Sequence, residues 1–289
     1  MISVLILTKN EEANLPHCLD AVKWSDDIVV LDSFSTDRTV DIATAAGARV
    51  FQRTFDNERS QREYSLTLPF KHSWVYNPDA DEIATEQLRD EMLKAVRDGR
   101  HVAYRVRFKT MFMDRWIKHS SLYPTWVMRV FRPECIQFAR EVNLTYIANG
   151  SVGRLNEHFL HMTFRKGIAA WLDKHNLYST GEAAESVQSL RNKRIPWGDL
   201  FQTSDPVRRR AGLKELSTRV PCRPLLRFLY MYFAKLGILD GVAGYHYCRL
   251  LSIYEYMIVL KMRELQRQSL PQHTRLRMVT GAPVITAES

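Results

Sequence analysis

Residues 2–12 read Ile2-Ser3-Val4-Leu5-Ile6-Leu7-Thr8-Lys9-Asn10-Glu11-Glu12, an apolar, β-rich run that ends abruptly in polar residues. A short apolar run of this kind predicts a strand buried on both faces. The pattern then repeats. Residues 13–22 carry Leu15, Cys18, Leu19 and Val22 at helical spacing, and Asp27-Ile-Val-Val-Leu-Asp32 is a second apolar run ending in an acid. Ser33-Phe34-Ser35-Thr36-Asp37 is dense in helix-capping residues, a helix is expected from Arg38 to Ala46 before Gly47, and residues 48–51 suit a third strand. This β-α-β-α-β rhythm predicts an α/β fold with a mostly parallel sheet flanked by helices. Ligands of such sheets sit at the carboxyl ends of the strands, where Thr8, Asn10 and Asp32 fall.

Further along, Trp74-Val75-Tyr76-Asn77-Pro78-Asp79-Ala80-Asp81-Glu82 ends another strand at a proline, which cannot donate to a ladder. It delivers two carboxylates two residues apart. Oxygen ligands of this type suit Mg²⁺ or Mn²⁺, and a solvated acidic turn is the bland alternative. Gln61 and Arg62 lie on a helix expected over 60–66, and a helix is expected over 82–97. Residues 102–109 alternate apolar with basic side chains, as does 126–132 (Trp-Val-Met-Arg129-Val-Phe-Arg132), and both predict half-exposed strands. Arg129 and Arg132 are candidate contacts for an anionic acceptor. His158 and His161 stand three apart, but no third ligand accompanies them at a recognisable spacing, so groove-lining histidines are preferred to a metal pair.

Of the 289 residues, 45% are hydrophobic and 25% charged, which fits one large domain with an appendage. A formal charge of +9 favours anionic partners, yet no nucleic-acid-binding motif is present. The four scattered cysteines suggest free thiols. No signal-peptide pattern or spanning helix is expected, so the sequence points to the cytoplasm. The organisation expected is a catalytic domain over 1–190, divided near 100 into nucleotide and acceptor halves. A Pro-broken basic connector (191–224), an amphipathic helical hairpin (225–268) and a tail (269–289) follow it. The hairpin's Tyr, Phe and Leu beside basic residues suit a membrane interface, with packing on a partner chain as the alternative.

The segments Val4-Leu-Ile-Leu-Thr8-Lys-Asn10-Glu11, Ile28-Val-Val-Leu-Asp32-Ser-Phe-Ser35-Thr36-Asp37 and Asp79-Ala-Asp81-Glu82 together resemble glycosyltransferase family 2, inverting enzymes of the GT-A fold. Residues 124–132 and Arg223-Pro-Leu-Leu-Arg227 resemble its bacterial lipopolysaccharide and surface-polysaccharide subgroup. The resemblance implies a nucleotide-sugar donor, UDP-linked, bound by Thr8, Asn10, Glu11, Asp32, Arg62 and Asp79. It also implies Mg²⁺ or Mn²⁺ on Asp79 and Asp81, with Asp81 catalytic. A lipid-linked or lipopolysaccharide glycan acceptor would place the enzyme peripherally on the inner face of the cytoplasmic membrane. The subgroup's acid after the 126–132 strand is matched here by Leu144, which leaves Glu141 as first choice for the general base and Glu157 as second. A soluble or protein acceptor, a catalytically impaired homologue and a basic nucleic-acid-binding protein are the competing readings.

Overall fold

The computed structural model describes residues 1–121, 123–139, 144–191, 220 and 222–268. Glu141, most of the expected basic connector and the expected tail lie outside the described residues. Two compact units divide at Ile168/Ala169, earlier than the boundary expected after residue 190.

The first unit is built on β1 (Ser3–Thr8), β2 (Ile28–Asp32), β3 (Arg49–Gln52), β4 (Val75–Tyr76), β5 (Glu82–Ala84), β6 (Ala103–Phe112), β7 (Arg115–Trp116), β8 (Trp126–Phe131) and β11 (Val152–His161). These form one sheet in the order β3-β2-β1-β4-β8-β6-β11-β5, with β7 folded back on β6. β9 (Ile136–Ala139) and β10 (Thr145–Ala148) pair separately as an antiparallel ribbon. Pairing is parallel from β3 through β4, as the repeating sequence rhythm requires. β8 then runs antiparallel to both β4 and β6, while β11 returns parallel to β6, so parallel pairing dominates only the first half. The sheet is therefore a mixed one within the expected α/β class.

The helices are α1 (Leu15–Val22), α2 (Thr39–Ala45), α3 (Glu58–Ser65) and α4 (Glu86–Asp98). Leu15, Cys18, Leu19 and Val22 of α1 are buried together with Val4, Ile6 and Val30 of the sheet and Leu88 and Met92 of α4. On the opposite face Leu5, Val29, Leu31, Val75, Met128 and Phe131 form a second core that includes Phe138 of the β9–β10 ribbon. Gly47 follows α2 at φ 75°, and Gly99 ends α4 at φ 62°, conformations that carry no Cβ penalty only for glycine. The helix expected over 82–97 starts four residues later. Thr85 caps it by accepting from the Leu88 N–H, and Glu82–Ala84 pair instead with β11. That pairing turns Glu82 inward.

The second unit holds α5 (Gly167–Arg191, entered from the first unit), α6 (Arg223–Leu229) and α7 (Gly241–Gln268). A π-helical turn (Tyr230–Ala234) and a 3₁₀ turn (Gly237–Asp240) link α6 to α7. Ala183 and Val187 pack with Ile258 and Met262, and Lys261 Nζ donates to Asn176, Ser179 and Thr180 of α5 at 2.5–2.8 Å. Among the described residues no helix is long and apolar enough to cross a membrane.

Candidate active site

The carboxyl ends of β1, β2 and β4 meet at one rim, since Thr8 aligns with Asp32 and Leu7 bridges to Asp79. The two loops leaving β1 and β2 are joined by side-chain hydrogen bonds. Thr8 Oγ1 and Ser35 Oγ donate to Asp32 Oδ1 at 2.9 and 2.5 Å, and the Ser35 N–H donates to Oδ2 at 2.8 Å. Asn10 adopts φ 55°, a left-handed conformation that asparagine tolerates better than most residues. Its N–H donates to Ser35 Oγ, and its Oδ1 accepts from the Thr36 N–H, both at 2.8 Å. The Glu11 N–H reaches Thr39 Oγ1 at 2.7 Å. Lys166, beyond β11, donates to the Asn10 carbonyl and to Glu11 Oε1, both at 2.6 Å.

Asn77 and Pro78 end β4. The Asn77 N–H makes the last rung, to the Arg129 carbonyl at 2.7 Å, and its Nδ2 donates back to the Leu5 carbonyl at 2.8 Å. The chain then swings Asp79 against two guanidiniums. Arg129 donates to Asp79 Oδ2, to Glu82 Oε1 at 2.5 Å and, through Nε, to Glu82 Oε2 at 2.9 Å. Arg62 approaches Asp79 Oδ1 at 3.4 Å and donates to the Tyr146 hydroxyl at 2.6 Å. Burial alone would raise the Asp79 carboxyl, but Arg129 and Arg62 outweigh it and hold the group well below the usual carboxylate range. Burial pushes Glu82 up to about 7 against the pull of Arg129.

β11 brings His161 to the same rim. Its Nε2 lies 3.4 Å from Asp81 Oδ2, and this carboxylate raises the imidazole pKa although burial opposes it. A carboxylate oxygen and an imidazole nitrogen side by side are a donor set suited to a divalent cation completed by substrate oxygens. Among the described residues no cluster of three or more protein ligands exists, so Asp81 and His161 fit such a cation as a partial shell only.

Several expectations change. Asp79 shares the rim with Asp81, but both its oxygens face arginines, whereas Asp81 turns to His161. Asp32 is fully buried and committed to Thr8, Ser35 and Gln52, so it ties the two loops together from behind. Arg129 is 7% exposed, and its guanidinium is engaged by Asp79 and Glu82. Arg132 follows β8 at the far end of the sheet, over the Trp74 ring at 5.2 Å, and is removed from the rim. Leu144 packs into the second core, and Glu157, four residues before the β11 terminus, faces His158 at 3.7 Å. Glu141 lies outside the described residues. Sequence reasoning gave no site role to Lys166, Glu82 or Ser35, and it read His161 only as a groove-lining histidine. His161 was visible only as a partner of His158, yet successive strand residues separated by three point to opposite faces.

A cleft of about 420 Å³ opens beyond His161, lined by Met111, Phe112, Met113, Asp114, Met162 and Phe164 among others.

Residues 3–156 match the family model described as glycosyl transferase family 2. An uncharacterized glycosyltransferase of Rickettsia bellii is 25% identical over 98% of this chain and 94% of its own length. The lipopolysaccharide core biosynthesis glycosyltransferase LpsC of Rhizobium meliloti is 26% identical over 67% of this chain and 74% of its own. The crystal structure of S. aureus TarS with UDP-GlcNAc superimposes with a TM-score of 0.45 at 14% identity, over 94% of this chain and 93% of that one. With the family model spanning the strand-end rim and most of the sheet, the chain belongs to glycosyl transferase family 2 and is a glycosyltransferase of the GT-A fold.

Proposed function

We propose that this glycosyltransferase moves a hexose, with inversion, from a UDP-linked donor to a lipid-linked or lipopolysaccharide-type glycan. The observation that carries the reading is the meeting of Asp81 with His161 beside the arginine-held Asp79, on the rim formed by the Thr8–Glu12 and Ser33–Asp37 loops. The outward-facing loop residues Asn10 and Glu11 bind the nucleoside, and Arg62 stands where a diphosphate would need a counter-charge. Asp81 and His161 would hold Mg²⁺ or Mn²⁺, which when bound supplies Lewis-acid neutralisation of the departing diphosphate. Arg129 keeps Asp79 and Glu82 fixed while the donor enters and leaves. Inversion needs a base to take the acceptor hydroxyl proton, and Glu141 is assigned that role because Leu144 is spent on packing. The name of the Rhizobium meliloti relative supports a lipopolysaccharide-type acceptor.

α6, α7 and the turns between them expose Leu225, Phe233, Leu239 and Val242 at 54, 53, 65 and 67%. Exposed apolar residues beside Arg227 and Lys235 suit shallow burial in an anionic bilayer surface, consistent with peripheral attachment to the inner face of the cytoplasmic membrane.

One experiment tests both parts: transfer from UDP-sugars to an acceptor glycolipid in anionic vesicles, scored together with vesicle flotation. The wild-type chain is expected to float and transfer. Asp81→Ala should float yet lose about 10³-fold in transfer, the several kcal/mol that a bound cation supplies. Phe233→Asp with Leu239→Asp should lose flotation. Unchanged transfer by Asp81→Ala overturns the metal assignment. Full transfer to soluble oligosaccharide by a chain that does not float assigns a soluble acceptor instead.

A further inference from the structure

Away from the rim, the strands of the second half of the sheet carry a set of cations on the face opposite Val106 and Phe108. Arg105, Arg107 and Lys109 alternate along β6 with the buried Tyr104 and Val106 and the partly buried Phe108. Cross-strand register aligns Arg107 with Trp126 of β8, and Arg105 with Arg154 of β11. Opposite neighbours in a sheet project to the same side, so these side chains form one surface. Aromatic rings lie beneath the charges. Arg107 sits over Trp126 at 5.9 Å and over Tyr123 at 5.7 Å, Arg154 over Trp126 at 5.5 Å, and Lys109 over Trp116 at 4.4 Å.

Among the described residues, no carboxylate pairs with Arg105, Arg107, Lys109 or Arg154, and β6 places three of these cations within five residues. His158 does have an acid, Glu157 at 3.7 Å, and is left out of the set. Two donors of the strip, Arg107 Nε and Trp116 Nε1, are buried without any acceptor. Unanswered buried donors cost free energy unless something supplies oxygen atoms. Thr110, one residue beyond Lys109, aligns with His161. Arg107 is three residues from that point, about 10 Å along the strand, and the odd separation sets Thr110 and His161 on the face opposite the strip.

We propose that this strip binds an anionic saccharide, a sugar unit bearing phosphate or carboxylate groups that belongs to the acceptor glycan. Arg105, Arg107, Lys109 and Arg154 receive the anionic groups, while Trp126 and Trp116 offer flat apolar faces to the sugar ring. The assignment to the acceptor rests on the glycosyltransferase reading, because the strip lies on the strands that end at His161 and is separate from the nucleotide loops. Alternating cations and rings also suit single-stranded nucleic acid. The glycan is favoured because the strip is confined to one enzyme domain, and two of its strands, β6 and β11, run towards the reaction rim.

The test uses the full chain and a deacylated, phosphorylated lipopolysaccharide core oligosaccharide, with the same oligosaccharide after phosphatase treatment and a single-stranded oligonucleotide as comparators. Binding is read by tryptophan emission, and UDP with Mn²⁺ is followed separately by thermal shift. The phosphorylated oligosaccharide should bind at least tenfold more tightly than the treated one. The variant combining Arg107→Gln, Lys109→Gln and Arg154→Gln should lose at least tenfold of that affinity while keeping the UDP shift. Arg154→Gln alone, at an exposed position, should lose part of it and fold normally. Equal binding of the two oligosaccharides, undiminished binding by the variants, or tighter binding of the oligonucleotide overturns the proposal. A missing UDP shift in the wild-type chain would instead refute the donor reading, and selective binding at the strip would then stand without it.

Discussion

The donor rim and the β6–β8–β11 strip belong to one sheet and differ in how charge is handled. At the rim each buried charge is answered: Arg129 spans Asp79 and Glu82, Arg62 reaches Asp79 and Tyr146, and Asp32 takes donors from two loops. On the strip the cations rest on aromatic rings and two donors stay unanswered. The rim is preorganised, as electrostatic catalysis requires of groups aimed at developing charge. The exposed Arg105 and Arg154 of the strip meet no carboxylate among the described residues and are open to a ligand from outside.

The contrast breaks most sharply at Arg129. Arg129→Ala leaves Glu82, 2% exposed, and Asp79 without their shared partner, and should cost about 3–5 kcal/mol in urea denaturation, as removal of one member of a buried ion pair does. A loss below about 1 kcal/mol would mean that water already screens these acids. Ser35→Ala comes next. It removes a hydroxyl that donates to Asp32 and accepts from the Asn10 N–H, and a loss of about 1–3 kcal/mol is expected by the same measurement. A neutral result would show that the loops are held by their backbone alone.

The smallest effect concerns His158, whose pKa burial lowers first and Lys109 and Arg107 lower further, against the pull of Glu157. A histidine whose folded value lies below its unfolded one contributes stability that is complete above the unfolded value of about 6.5 and is lost as pH falls through the folded value. Lys109→Gln should move the His158 titration, followed by NMR, upward towards that reference and shrink the acid loss. An unmoved titration would show that the strip's cations are already neutralised in solution.

Much of the first half was legible in the sequence because it follows local rules. Apolar runs with polar ends gave β1 and β2, and helical spacing gave α1 with its four buried residues. Asp79 and Asp81 were recognisable as a rim pair for the same reason. What stayed hidden depends on partners far along the chain. Asp81 and His161 are eighty residues apart, and Lys166 meets Glu11 across 155. Arg129 and Arg132 share a sequence pattern, yet antiparallel pairing of β8 with β4 sends them to opposite ends of the sheet. No spacing rule reveals that direction. Glu82 looked like a helix start because acids favour first turns, but pairing with β11 claimed it for the core.

β11 has a consequence for how the enzyme comes into being. It is the last strand of the sheet to be synthesised, yet it sits between β6 and β5 instead of at an edge. Until it emerges, β5 has no strand to pair with, Asp81 lacks His161, and the first loop lacks Lys166. Pairing across so long a stretch of chain is slow, because the entropy of loop closure must be met before the contacts form. A nascent chain therefore carries the loops after β1 and β2 long before it carries a finished rim. The rim is complete only when the final strand has been inserted between its neighbours.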